Sequence, residues 1–207
     1  MQIRTCNCFL PAATADWTSL YARPDEFELV DDNLLTTLPI LPKEWRVSFD
    51  LKPTRMANKS TDWINIFQMH VQGSNWPEVG CKIPEVQFNL ENKLAIYSAI
   101  NCETVSLGYD KMPTPALDTW ISIKIIQKQE IDGTYSNKVL IDEVLLYRTD
   151  NSHPQMFENV EVFASRSLSS GYSGLVKNLR IDERGTSLQG KTKSESTVEI
   201  YFMPSIL

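Results

Sequence analysis

Apolar and polar residues alternate along most of this chain with a period of two. Trp45, Val47, Phe49 and Leu51 interleave with Arg46, Ser48, Asp50 and Lys52. Successive side chains of a strand point to opposite faces, so this predicts a strand with one face buried and one in water, closed by Pro53. Asp62 to Val71 is more continuously apolar, the pattern of a strand covered on both faces. Ile83 to Ile100 reads as a hairpin: Val86, Phe88 and Leu90 alternate with Gln87 and Asn89, Glu91-Asn92 turns, and Leu94 to Ile100 returns. Trp120 to Gln129 carries Ile at alternate positions, and Asp132-Gly133 is a turn signal. Lys138 to Arg148, Asn159 to Ser165 and Leu175 to Asp182 are further strands, and Phe27 to Val30 is a weak one. Trp45 and Trp120, as large aromatics in strand-like stretches, are expected in the core. No segment sustains a long 3.6-residue period; Asp16 to Ala22 is expected to form one short helix with Asp16 at its N-cap. Roughly nine to twelve strands separated by Pro, Gly, Asn and Asp predict an all-β, two-sheet antiparallel sandwich.

The expected organisation is an N-terminal extension over 1–26 and a sandwich over 27–184. A polar Gly/Ser/Lys linker follows over 185–196, then a strand-like segment over 197–207. That last segment returns to the sheet or pairs with another subunit. At 207 residues the chain is long enough for one sizeable core, and 42% apolar against 22% charged residues rules out global disorder. Twenty Lys and Arg against 26 Asp and Glu leave a net charge of −6, with no Lys/Arg cluster in the sequence, so a nucleic-acid partner is not expected. No apolar run approaches the ~18 residues of a membrane span.

Met1 to Cys8 is too polar for a signal peptide, so the chain is either intracellular or a mature extracellular form. The cysteines favour the extracellular reading. Cys6, Cys8, Cys81 and Cys102 form no CxxC pair, and two histidines are too few to complete a zinc cluster. With Glu91-Asn92 as the hairpin tip, facing residues have numbers adding to 183, as do Cys81 and Cys102. They are expected opposite each other in reach of a disulfide, the alternative being two buried free thiols. Cys6 and Cys8 are too close for an unstrained bond to each other. Asn58-Lys59-Ser60 is a glycosylation sequon at Asn58.

The order of these strands resembles the concanavalin A-like jelly roll, in its laminin-G/pentraxin-like branch. The likeness rests on three stretches: Trp45 to Pro53; Trp120 to Ile125 followed by Val139 to Val144; and Gly174 to Asp182, with Phe157 to Ser165 where the family has the strand before the last. It covers roughly Phe27 to Asp182 and consists of alternation patterns, not catalytic signatures. The resemblance implies a jelly-roll sandwich with ligands on the concave face or at its rim loops. It also implies a mostly extracellular setting and sugars, glycoproteins or lipid headgroups as ligands. Some members use calcium and some branches hydrolyse glycosides. Fold alone does not choose among these.

Candidate chemistry narrows the choice. A retaining glycosidase needs carboxylates on one face about 5–5.5 Å apart. Glu130 and Asp132 share parity, but Thr134 breaks the series and Asp132-Gly133 favours a solvated turn. Asp142 and Glu143 are adjacent, so on a strand they face opposite ways. His70 lies on an apolar strand, His153 in a polar loop, and no nucleophile motif accompanies either, so catalysis is not expected. Calcium would need a site assembled from distant loops, with Asp62, Asp110, Asp142 and Asp182 as single acids near strand ends; it stays open as a cofactor. Sugar binding needs an aromatic platform beside directional polar groups. His70, Asn75, Trp76 and Glu78 supply these in one stretch, with Gln87 and Asn89 on the polar face of the next strand. The alternative for Trp76 is a cap on the sandwich end or a subunit contact. Trp17 and Trp63 are further aromatics. The expectation is a non-enzymatic, secreted, lectin-like module binding a carbohydrate or glycoprotein. The alternative is a structural subunit that uses the sandwich surface and its terminal segments to form a homo- or hetero-oligomer.

Overall fold

A computed structural model describes residues 16–55, 63–74, 78–108, 111–166 and 173–185. Asn58, Asn75, Trp76, Asp62, Asp110, Cys6 and Cys8, and the segments expected as linker and final strand beyond Gly185, lie outside the described residues.

Thirteen strands occur among the described residues: β1 Trp17–Arg23, β2 Phe27–Glu28, β3 Leu34–Leu41, β4 Trp45–Arg55, β5 Ile64–Val71, β6 Glu85–Phe88, β7 Leu94–Ile100, β8 Glu103–Ser106, β9 Ile121–Gln129, β10 Tyr135–Ile141, β11 Val144–Asp150, β12 Phe157–Phe163 and β13 Ser173–Arg184. They form two antiparallel sheets. One runs β1-β13-β4-β9-β10-β11, with β2 also paired to β13; the other runs β3-β12-β5-β6-β7-β8. The expected two-sheet sandwich is therefore present.

The core lies where the inner faces meet. Trp45, Val47, Leu51, Ile123 and Ile125 from the first sheet and Ile64, Met69, Val86, Phe88 and Ile96 from the second are almost wholly inaccessible. The rings of Phe49 and Phe67 meet across the sandwich with centroids 5.4 Å apart. Burial of this kind contributes roughly 25 cal/mol per Å² of apolar surface and is the main force holding the sheets together.

Several local expectations are corrected. Residues 17–23 form strand β1, not a helix, and pair with β13 from Trp17↔Arg184 to Arg23↔Leu179. The sandwich thus begins ahead of Phe27; pairing along the open edge of β13 outweighs a weak N-cap signal. Strand β4 runs past Pro53 to Arg55. The stretch Lys138 to Arg148 is two strands, reversed at Asp142-Glu143, whose φ values of 50° and 63° mark a tight two-residue turn. Those two acids therefore sit at a turn tip. Asn101-Cys102, with φ of 53° and 64°, turns β7 into β8 in the same way.

That turn also removes the expected disulfide. Facing residues of β6 and β7 have numbers adding to 182, one short of the expected register, from Glu85↔Tyr97 to Phe88↔Leu94. The chain reverses at Cys102 and never comes to face Cys81. Both thiols are free, Cys81 buried and Cys102 exposed. Cys81 Sγ lies 3.7 Å from Thr104 Oγ1, and Gln155 Nε2 lies 3.5 Å from Cys102 Sγ.

Trp120 is also not core. It has the parity of Ser122 and Lys124, on the outer face of the first sheet, with Lys52 Nζ 4.9 Å and Lys177 Nζ 4.1 Å from its ring centroid.

Candidate functional site

The outer face of the second sheet carries a row of polar side chains that the sandwich does not need. Its origin is a bulge. The β5–β6 register shifts between Asn65 and Phe67, so Asn65, Gln68 and His70 all face outward while Ile64, Phe67 and Met69 stay in the core. Strand pairing then aligns them across the sheet: Asn65 with Gln87, Gln68 with Glu85 and Phe163, His70 with Glu161, and Glu85 with Tyr97.

These groups hold one another in place. Asn65 Nδ2 donates to Glu85 Oε1 at 2.7 Å, and Asn65 Oδ1 accepts from the Arg166 amide at 3.0 Å. Gln68 Nε2 donates to the Cys81 carbonyl at 2.8 Å. Lys82 forms an ion pair with Glu85 and places its ammonium 4.4 Å from the Tyr97 ring centroid. Tyr97 meets Trp63 edge-to-face at 6.3 Å, and Trp63 remains 40% exposed, large enough an apolar surface to receive a ligand. Asn65, Gln68, His70, Glu85 and Gln87 are all buried. A buried polar array is costly unless satisfied, and here amide, carboxylate and ammonium largely satisfy each other.

His70 sits at the other end of the row. Its Nδ1 lies 3.0 Å from the Val71 carbonyl, and Nε2 lies 3.0 Å from Glu161 Oε2, off the line of a well-formed hydrogen bond. Its ring packs 5.5 Å from Phe163. Burial, aided by the positive charge of Arg166, holds the His70 pKa below its usual value against the pull of Glu161 and the Val71 carbonyl.

The residues singled out by sequence divide accordingly. His70 and Gln87 belong to this face. Glu78 is exposed, in the turn whose carbonyl accepts from the Cys81 amide. Asn89 holds the β6–β7 turn, its Oδ1 accepting from the amides of Glu91 and Lys93 at 2.9 and 2.8 Å. Asn65, Glu85, Tyr97, Lys82, Glu161 and Arg166 were not singled out. Glu85 and Tyr97 could have been found by extending the hairpin alternation, whereas Asn65 was hidden by the bulge.

The acids considered for catalysis are otherwise engaged. Glu130 accepts from Ser136 Oγ at 2.6 Å and pairs with Lys138 and, at 3.3 Å, with Lys128. Burial raises its pKa, but Lys138, Ser136 and Lys128 outweigh that and bring it down to about 2. Asp132 accepts from Thr134 within the β9–β10 turn. Asp142 Oδ1 accepts from the Ser122 amide, and Asp182 is paired with Arg46 and Arg180. Among the described residues, no group of three or more His, Cys, Asp or Glu converges as metal ligands would.

No protein-family model matches the chain, and a search of curated proteins found no match. Solved structures do match. The chain is similar to the ligand-binding domain of botulinum neurotoxin serotype D in complex with N-acetylneuraminic acid, at 14% identity and a TM-score of 0.53, covering 84% of this chain and 43% of that one. It is similar to the receptor-binding domain of botulinum neurotoxin type G at 12% identity and a TM-score of 0.51, covering 81% and 42%. A further serotype D binding domain matches at 12% identity and a TM-score of 0.53, covering 82% and 48%. What is shared is the β-sandwich. The chain spans less than half the length of each of these structures.

Proposed function

We propose that this protein is a non-enzymatic binding module whose ligand is a carbohydrate, bound on the outer face of the six-stranded sheet. The observation that carries the reading is the aromatic pair Tyr97 and Trp63, 40% exposed at Trp63, backed by the buried polar row from Glu161 and His70 through Gln68, Asn65, Glu85 and Gln87. Hydroxyl-rich ligands need both donors and acceptors in fixed places and an apolar ring against their C–H face. A site built to hydrogen-bond also rejects ligands that leave its groups unpaired, at about 1–3 kcal/mol per group. The solved domains of similar fold are described as receptor- or ligand-binding, one with N-acetylneuraminic acid, which supports a binding role over catalysis. Asn75, Trp76 and Glu78 enter this proposal as an adjoining edge. Ser74 and Gly80, on either side of them, both bond to the Val71 backbone next to His70. An extracellular setting is part of the reading. The free cysteines do not add to it, so its support is the fold likeness.

The test is a glycan array with the full chain, followed by calorimetric titration of the best binder against Trp63→Ala and Gln87→Ala. The expected loss is at least tenfold, or about 1.4 kcal/mol, with unchanged circular dichroism. An empty array, or hits whose affinity ignores both substitutions, would sink the proposal. The assembly reading has its own observation. Edge strand β11 exposes Val144 and Leu145 by 60% and 51%. Light scattering that shows a stable oligomer, split by Val144→Lys, would favour it.

A further inference from the structure

The outer face of the seven-stranded sheet is rich in cations, which strand pairing gathers from distant parts of the sequence. Most are neutralised in place. Arg46 and Arg180 share the buried carboxylate of Asp182, Lys128 and Lys138 share Glu130, and Lys124 holds Glu143. Lys52 and Lys177 differ. Among the described residues neither has a carboxylate within ion-pair distance, and both ammonium groups lie against the one indole of Trp120. At 4.9 and 4.1 Å from its centroid they are at most about 9 Å from each other. Asp50 stands opposite Lys177 in the register and accepts from Asn178 Nδ2 at 2.7 Å; its carboxylate keeps its charge but lies beyond ion-pair distance of either ammonium group. The cluster is built by three neighbouring strands: Trp120 immediately precedes β9, where Ile121 pairs with Leu51 of β4; Lys52 follows on β4; and Lys177 lies on β13.

We propose that Lys52, Lys177 and Trp120 form a second binding site, separate from the polar face of the other sheet, which takes the sulfate group of a sulfated saccharide. Two like charges beside one ring repel each other, and an oxyanion between them relieves that repulsion while accepting from both ammonium groups. The half-buried indole offers its remaining apolar surface to the sugar that carries the group. The charge is local, because the surrounding cations already have carboxylates. A nucleic acid presents a phosphate charge about every 1.7 Å and would also meet a chain of net charge −6. Recognition of an anionic membrane draws on clusters of about 4–8 cations, which the face does not offer unpaired. One anionic group on a sugar matches what is available.

The test is calorimetric titration of the full chain with a heparin tetrasaccharide, at about 50 mM and about 200 mM NaCl. Binding is expected to weaken with salt. It should fall at least tenfold in the Lys52→Ala/Lys177→Ala double variant and be retained in the Lys52→Arg/Lys177→Arg pair. Neither lysine holds a carboxylate, so circular dichroism should not change in either variant, and losing the two ring contacts should lower the unfolding midpoint of the alanine pair only slightly. Trp120→Leu should weaken binding severalfold. Absence of tetrasaccharide binding, equal binding of the desulfated sugar, or full affinity in the double alanine variant each overturns the site. Inorganic sulfate competing at the tetrasaccharide's own concentration overturns the role of the sugar. Tighter binding to a ten-nucleotide oligothymidine, or to phosphatidylserine vesicles, overturns the choice of partner.

Discussion

Replacing Glu130 by Gln tests both the ion-pair geometry of the β9–β10 hairpin and the absence of acid catalysis there. The Glu130 side chain is 17% exposed, and two lysines and a serine hydroxyl converge on it. Its pKa is lowered from 4.5 to about 2. At about 1.4 kcal/mol per pH unit, that is worth roughly 3 kcal/mol to the folded state. Lys128 and Lys138 remain partly in water, so solvent screening reduces this to about 1–2 kcal/mol. The sign follows from proton uptake. The unfolded chain binds a proton near 4.5 and the folded chain only near 2, so the stabilisation is complete above 4.5 and disappears as pH falls to about 2. Urea unfolding of Glu130→Gln should show a deficit of about 1–2 kcal/mol at neutral pH that has fallen by about half near pH 3. A variant as stable as the parent at neutral pH, or a deficit undiminished at pH 3, would refute the reasoning. The same low pKa makes Glu130 a poor proton donor, where a glycosidase acid needs its pKa raised. Hydrolysis of a β-glucan that vanished in Glu130→Gln would contradict the binding-module reading.

His70 is held neutral in the folded state, so it takes up its proton more readily on unfolding. Stability should decline as pH falls below about 6.5, and His70→Gln should flatten that decline in thermal melts between neutral and acidic pH. Asp182→Asn leaves Arg46 and Arg180 without their shared buried carboxylate; both guanidinium groups keep partial contact with water, so the cost in urea unfolding should be about 1–2 kcal/mol, and a loss below about 0.5 kcal/mol would mean the cluster is idle. Gly108 has φ +62°, and a Cβ there would lie 2.5 Å from Tyr147 Cδ2, so Gly108→Ala should lower the melting midpoint by several degrees. Cys102 should react with a thiol reagent in the native protein and Cys81 only after unfolding; a linked peptide in a non-reducing digest would restore the disulfide.

The sequence made the sandwich legible because alternation is a direct record of a half-buried strand. Trp45 to Lys52 and Trp120 to Gln129 were readable for that reason. What alternation cannot carry is phase. The bulge before Phe67 moves Asn65 to the same face as Gln68, and a parity argument assigns it to the opposite one. The one-residue difference in the β6–β7 register is a similar error, and together with the reversal at Asn101-Cys102 it separates the expected cysteine pair from the free thiols. Strand β1 was missed because its residues are held by pairing with β13, a contact more than 150 residues away in sequence, not by a pattern of their own. Trp120 was misplaced by residue type, since a large aromatic reads as core even with the parity of the outward-facing Ser122 and Lys124. Of the candidate face, His70 and Gln87 were visible, whereas Glu161 and Arg166 reach it through strand order.

The turn at Asn101-Cys102 has a practical consequence. A left-handed backbone costs an ordinary L-residue roughly 1 kcal/mol relative to glycine, and Cys102 sits in it with φ 64° and its thiol exposed. On storage in air such a thiol is a ready site for covalent cross-linking between molecules, which would mimic a native oligomer in light scattering. Cys102→Gly removes the cross-link and the strain together. It is therefore a suitable background in which to measure genuine self-association.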